Sequence, residues 1–209
     1  MNILHPHAVD AGAPCGISPA TPWRTLHYAA ARLTDGDRLF VAPGVYSVAN
    51  GESDSALEIM EASNIEIYGA SGGGTLLDGT GAVNWTNGIE INHAPGIVIA
   101  GLEIVRFSGN GIYLGHVSEA TVRGCRIHDL EKGSGIRLYN CDSTTRVANN
   151  DIYDVYTGIS VDGGVRPVND NPDDEDDDTP NTPTGTLQVV LEDDGSSFVM
   201  GCFIDSMGE

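Results

Sequence analysis

One short pattern returns along the chain at a nearly constant interval, and that interval constrains the fold more than any other feature. Gly-Ile-x-Ile/Leu/Val occurs as Gly88-Ile89-Glu90-Ile91, Gly111-Ile112-Tyr113-Leu114, Gly135-Ile136-Arg137-Leu138 and Gly158-Ile159-Ser160-Val161, at spacings of 23, 24 and 23 residues. A second apolar segment keeps step as Ile97-Val98-Ile99, Ala120-Thr121-Val122 and Thr145-Arg146-Val147. A third follows as Leu102-Glu103-Ile104, Cys125-Arg126-Ile127 and Asn150-Asp151-Ile152. An earlier turn, Leu57-Glu58-Ile59, Ile65-Glu66-Ile67 and Leu76-Leu77, runs longer. Its surplus falls in loops at Ser71-Gly72-Gly73-Gly74 and before Gly88.

Self-similarity at such a period means a solenoid. Each segment alternates apolar and polar residues and is too short and too β-branched for a helix. Three such strands per period make one coil of a parallel β-helix. The apolar members point into a shared core and the others point out. No coil buries its apolar face alone, so stability comes from stacking. The expected fold is therefore all-β: a parallel β-helix of about five coils, roughly 20–24 Å tall at about 4.8 Å per coil.

The start reads differently. Thr21 is placed as an N-cap and Pro22 as the first helical residue, with Trp23, Leu26, Ala29/Ala30 and Leu33 on one face. This predicts an amphipathic helix over 21–33, set as a cap on the open end of the solenoid.

Charge bounds the partners. The chain has 10 Lys+Arg against 30 Asp+Glu, a formal charge of −20. That excludes the basic stripe of a nucleic-acid binder and disfavours anionic lipid surfaces. No stretch approaches the ~20 apolar residues of a membrane span. Residues 1–10 show no secretory signal. Residues 163–209 carry 12 acids against one base, and the run Asp173 to Asp178 sits among Pro167, Pro172, Pro180 and Pro183. The division expected is a capped solenoid over 1–162, an acidic Pro/Thr-rich linker over 163–186 and a small element over 187–209. In that last element Leu187–Leu191 and Phe198–Ile204 flank Asp193-Asp194-Gly195, a hairpin signal. An acidic run also offers Ca²⁺ ligands, although a solvated spacer explains it as well.

Pro22-Trp23-Arg24-Thr25-Leu26, then Gly36-Asp37-Arg38-Leu39-Phe40-Val41-Ala42-Pro43-Gly44-Val45-Tyr46, resemble the N-terminal signature of right-handed parallel β-helix proteins of the pectate-lyase-like superfamily. The Gly-Ile-x-Ile segments resemble its coil repeats. The resemblance covers about residues 8–162. It implies a right-handed coil and an exported or cell-surface protein that contacts polysaccharide. It does not choose among lyases, epimerases, spike modules and non-catalytic binders. The paired-Asp with Gly-His-Gly, Asp-Pro-His-Glu and Trp-Ile-Asp-His motifs of the catalytic branches are absent from this sequence.

The register predicts which side chains share a surface. The outward row of the first strand is Glu58, Glu90, Tyr113, Arg137, Ser160, and two residues on it is Met60, Asn92, Gly115, Tyr139, Asp162. Glu90, Asn92, Tyr113, Tyr139 and Asp162 are the expected substrate-binding set. Aromatic rings stack on sugars, and carboxylates and amides take hydroxyls. Arg137 pairs with carboxylates. Lys132, the only lysine, lies in a loop two residues longer than its counterpart after Asp154. By resemblance to polysaccharide lyases, Lys132 is the candidate base and Arg137 the candidate neutraliser of a uronate carboxylate. The bland alternative pairs Arg137 with Glu90 or another nearby acid and leaves Lys132 as loop decoration. The row Glu103, Arg126, Asp151 alternates in sign and reads as an exposed salt-bridge ladder.

His93 and His116, with Asn140 following, occupy matching turn positions and read as a turn ladder before they read as a metal site. The four cysteines, Cys15, Cys125, Cys141 and Cys202, lack Cys-x-x-C spacing, and Cys125 has core parity. The end Gly201-Cys202-Phe203-Ile204 is similar to short Cys-Phe-Ile motifs on exported bacterial proteins but lacks the preceding glycine run. The last coil leaves an edge near Ile159, which predicts either coverage by the C-terminal element or pairing with a second copy.

Overall fold

The computed structural model describes residues 23–48, 55–82 and 85–163 with their side chains, and the backbones of 2–4, 188–193 and 196–199. Three parallel sheets wind through five coils. The first sheet holds β2 (Arg38–Val41), β5 (Glu66–Tyr68), β8 (Val98–Ala100), β11 (Thr121–Arg123) and β14 (Arg146–Ala148). The second holds β3 (Gly44–Ser47), β6 (Thr75–Asp78), β9 (Glu103–Val105), β12 (Arg126–His128) and β15 (Asp151–Ile152). The third holds β4 (Ser55–Met60), β7 (Asn87–Asn92), β10 (Ile112–Gly115), β13 (Leu130–Tyr139) and β16 (Val155–Asp162).

Alternation sets the core. Ile67, Ile99, Val122 and Val147 come from the first sheet, Leu77, Ile104 and Ile127 from the second, and Ile89, Ile91, Ile112, Leu114, Ile136 and Leu138 from the third; all are fully buried. Each such aliphatic side chain stabilises the stack by about 1.5–3 kcal/mol. The last coil is less covered: Ile152, Ile159 and Val161 are only partly buried.

The corners repeat as faithfully as the strands. Glu61, His93, His116, Asn140 and Gly163 all take positive φ after the third-sheet strands. Gly101, Gly124 and Asn149 do so between the first and second sheets, and Arg106, Asp129 and Asp154 after the second. One left-handed residue turns the chain sharply, and Gly, Asn, Asp and His adopt that conformation most cheaply.

The repeat glycine has a steric origin. A Cβ on Gly111 would lie 2.5 Å from Ile127 Cγ2 and 2.7 Å from the Gly135 carbonyl oxygen. Gly88 and Gly135 meet the same kind of obstruction. The residue before each glycine is a second, polar signature. These are Asn87, Asn110, Ser134 and Thr157, and Ser55, ahead of Ala56, holds the same place one coil earlier; Ser55 pairs with Asn87 and Ser134 with Thr157 in register. Asn110 donates from its backbone N and its Nδ2 to Asn87 Oδ1 at 2.7 and 3.0 Å, and Ser134 N donates to Asn110 Oδ1 at 2.9 Å. Asn110 is 2% exposed, so this ladder satisfies backbone that water cannot reach.

Three features differ from the sequence expectation or add to it. The helix α1 is only Leu26–Ala30, capped by Thr25, whose Oγ1 accepts from Tyr28 N. The apolar face is as expected, since Trp23, Leu26, Ala29 and Leu33 are buried, but the helical geometry starts later than Thr21-Pro22 suggested. α1 packs against β4, the first strand of the third sheet. A strand β1 (Asn2–Leu4) extends the first sheet beyond β2 in parallel, where no strand was expected. At the other end β17 (Gln188–Asp193) runs parallel to β14 and pairs antiparallel with β18 (Ser196–Val199). The C-terminal hairpin thus continues one sheet, while β15 and β16 are the terminal strands of the other two. The acidic run, Cys15 and the Cys202 motif lie outside the described residues.

Candidate functional site

The outward face of the third sheet assembles as the register required. Glu90 stands opposite Glu58 on one side and Tyr113 on the other, and Tyr113 stands opposite Arg137. Asn92, Gly115, Tyr139 and Asp162 form the adjacent row. Six of the seven candidate residues therefore share one surface.

The residue between the rows explains its geometry. A Cβ on Gly115 would fall 2.9 Å from Tyr113 Cε1 and within contact of Asn92 Oδ1. The Tyr113 ring lies over a bare stretch of backbone, and only glycine leaves that room. Burial is the main cause that pushes the Tyr113 phenol above its ordinary range; the Arg137 charge opposes it and the Glu90 charge adds to it.

Glu90 is held by neutral donors. Ser55 Oγ donates to its Oε2 at 2.5 Å, Asn87 Nδ2 to the same oxygen at 2.9 Å and Asn92 Nδ2 to Oε1 at 3.0 Å. Asn87 thus links the buried ladder to the surface carboxylate. Arg137 takes the bland option, with a nearby acid other than Glu90: its Nε reaches Asp162 Oδ2 at 2.8 Å. Ser160 Oγ donates to that same oxygen at 3.0 Å.

Lys132 is placed apart from this set. It is exposed on a bulge in β13, where the pairing with β16 shifts between Leu130 and Ser134. Gly133 anchors the bulge, since a Cβ there would collide with the Gly109 carbonyl. Roughly 15 Å of strand separates Lys132 from Arg137.

The turn ladder borders the patch. His93 and His116 stack with centroids 4.6 Å apart and planes 10° apart, and Tyr139 meets His116 edge-on at 5.4 Å. Sequence reasoning kept these histidines out of the site, yet they prolong its aromatic surface beside Tyr139. Among the described residues no group of three or more His, Cys, Asp or Glu could hold a metal ion. On the second sheet Arg126 pairs with Asp151 at 3.4 Å, while Glu103 takes His128 instead, Nε2 to Oε1 at 3.1 Å. His128 stacks on Tyr153 with centroids 4.6 Å apart, one coil on.

A five-coil parallel solenoid with a polar ladder under its glycine corners and a flat outward sheet defines the class of the molecule. The chain belongs to the family described as right handed beta helix region, which matches residues 44–171. Pectate lyase Pel9A is similar in structure at a TM-score of 0.58 and 19% identity, over 77% of this chain and 43% of that one. The chain thus spans less than half of that lyase. A rhamnogalacturonan lyase aligns over 91% of this chain and 66% of its own at 11% identity and a TM-score of 0.46. A glycosyl hydrolase assigned as such in Parabacteroides merdae aligns over 62% and 74% at 10% identity and a TM-score of 0.36. The likeness to pectate lyase Pel9A shows the fold alone. No curated protein matches the sequence.

Proposed function

We propose that this is an exported or cell-surface β-helix protein that contacts polysaccharide through the third-sheet face without cleaving it. The observation that carries this reading is the side-by-side set of Tyr113 over Gly115, Tyr139 with the His93–His116 stack, and Asn92, all presented on one flat sheet. Rings offer stacking faces, and the amide and carboxylates meet hydroxyls. Glu58, Glu90 and Asp162 make the face acidic, and Arg137 is engaged by Asp162. A neutral glycan suits that surface better than a polyuronate.

A polysaccharide lyase or epimerase is the second reading. The β13 bulge favours it, because the two extra residues carry the one lysine of the chain. Proton abstraction beside a carboxylate needs a base and a neutralising cation at one reacting atom. Lys132 and Arg137 would have to converge across the length of β13 to supply them.

Incubation with alginate, pectate and chondroitin, with and without Ca²⁺, and detection of unsaturated uronate decides between the two. The binding reading expects no product in either condition and glycan-array binding that is lost in Tyr113→Ala/Tyr139→Ala. Product formation abolished by Lys132→Ala and by Arg137→Ala would establish the lyase. Neither product nor binding would leave a structural or adhesive module.

A further inference from the structure

A groove runs along the corner between the first and second sheets, away from the third-sheet face. Its volume is about 970 Å³, within the range of small-molecule sites. The row that forms its wall is Phe40, Tyr68, Ala100 and Arg123, in register on successive coils. Phe40 and Tyr68 stack with centroids 5.5 Å apart and planes 24° apart. Both rings are only partly buried.

The charge in this groove is the reverse of the molecule's. The chain carries a net charge of −20, yet among the described residues the one charged residue lining the groove is Arg123. Arg123 is exposed and enters no ion pair among the described residues. The acid nearest the aromatic pair, Glu66, is already neutralised. Arg38 Nε pairs with it at 2.7 Å, and the Tyr68 hydroxyl donates to it at 3.0 Å. The corner beneath is bare backbone: Gly101 and Gly124 take positive φ there, and a Cβ on Gly69 would run into the Gly101 carbonyl.

Spacing turns these parts into a site. Tyr68 and Arg123 are two coils apart, about 10 Å along the stack, with the small Ala100 between them. A sugar ring resting at Tyr68 places the next residue over Ala100 and its acidic group at the guanidinium. We propose that this corner groove is a second, anion-selective sugar site, taking a short oligosaccharide whose carboxylate or sulfate pairs with Arg123 while a ring stacks at Phe40–Tyr68. It does not depend on the third-sheet reading, and it selects charge where that face selects neutrality.

The test is a titration of the ¹⁵N-labelled full chain with trigalacturonate, its methyl ester and inorganic sulfate, followed at the amides of Gly72, Gly101 and Gly124. The free acid is expected to shift these signals saturably, with salt weakening it. The ester and sulfate alone bind more than about tenfold more weakly, since each lacks one of the two contacts. Arg123→Ala loses a similar factor and Tyr113→Ala/Tyr139→Ala leaves the groove signals unchanged. Unshifted Gly101 and Gly124 amides at saturation, or equal affinity in Arg123→Ala, would overturn the site. Shifts confined to Gly115 would do so as well while leaving the third-sheet face standing.

Discussion

Arg137 and Asp162 face each other across the last two coils of the third sheet, one coil apart in sequence and 2.8 Å apart from Nε to Oδ2. The guanidinium that could receive an acidic sugar is held by a carboxylate of its own chain. Both side chains are about 40% exposed, so the pair itself contributes about 0.5 kcal/mol or less to stability. Asp162→Asn is therefore expected to leave the melting temperature nearly unchanged while raising affinity for polyuronate several-fold. Affinity electrophoresis in pectate gels measures this; an unaltered or lower affinity contradicts the account of Arg137.

The repeat glycines make a sharper stability prediction, because chemically identical sites should respond in opposite directions. Gly111→Ala drives a methyl group into Ile127 and the Gly135 carbonyl and is expected to cost about 2–3 kcal/mol. Gly158 holds the same place in the last coil, but no atom of the described residues lies within 4 Å of its added Cβ. Gly158→Ala is expected to be neutral or to stabilise by about 0.5 kcal/mol through the unfolded chain. Urea denaturation of the two variants beside the parent provides the comparison.

The buried ladder is next. Asn110→Ala strips the acceptor from Ser134 N and one of the two donors from Asn87 Oδ1 in a buried site, leaving only the Asn110 backbone N on that oxygen, at an expected cost of about 2–3 kcal/mol. Asn110→Ser, the residue the next coil uses at 134, recovers part of it. Asn92→Ala, on the partly exposed outer row, costs less than about 1 kcal/mol. Equal losses in Asn110→Ala and Asn92→Ala would show that burial is not what gives the ladder its weight.

Cys125 and Cys141 are buried, and burial pushes both thiols up to about 11. Their thiolates are scarce at neutral pH and their sulfurs out of reach. Iodoacetamide is expected to leave both unmodified in the native protein and to label both in guanidine, as peptide mapping by mass spectrometry reads directly.

Acid stability has one assignable contributor in Asp78. The Arg106 guanidinium, bound through Nε and Nη2, holds its carboxyl at about 2, below the ordinary 3.8. A depressed carboxylate stabilises the fold fully above its unfolded value and loses that contribution as pH falls through its folded value. The gap in unfolding free energy between the parent and Asp78→Asn is thus expected to be about 1 kcal/mol above pH ~5 and to close toward pH ~2. Chemical denaturation at several pH values follows it; a gap that widens in acid contradicts the sign.

The coil itself was written plainly in the spacing. Once Ile89, Ile112, Ile136 and Ile159 are aligned, alternation alone puts Glu90 beside Tyr113 and Tyr113 beside Arg137, and those pairings are found. What spacing could not supply was the choice among partners on one face. Arg137 had Asp162 one coil away and Glu90 two coils away, and three neutral donors had already satisfied Glu90. The ladder of Asn87 and Asn110 was legible in principle, as a polar residue before every repeat glycine, but parity rules do not cover a corner. The late start of α1 escaped for a similar reason: Thr21 and Thr25 both satisfy a cap rule, and only tertiary packing of Trp23 and Leu26 selects the second. The Phe40–Tyr68 stack was hidden because these residues belong to coils whose length departs from the period.

Those departures all share a location. The Ser71–Gly74 loop lies between strands, and the bulge at Lys132 enters β13 ahead of its Gly-Ile-x-Ile segment. Neither touches the alternating core of the coil it belongs to. In engineering terms the winding behaves as a chassis with interchangeable fittings: a loop grafted at a corner re-equips the outside of one coil while its neighbours keep their own packing, so new recognition surfaces can be added to this protein singly rather than by redesigning the whole.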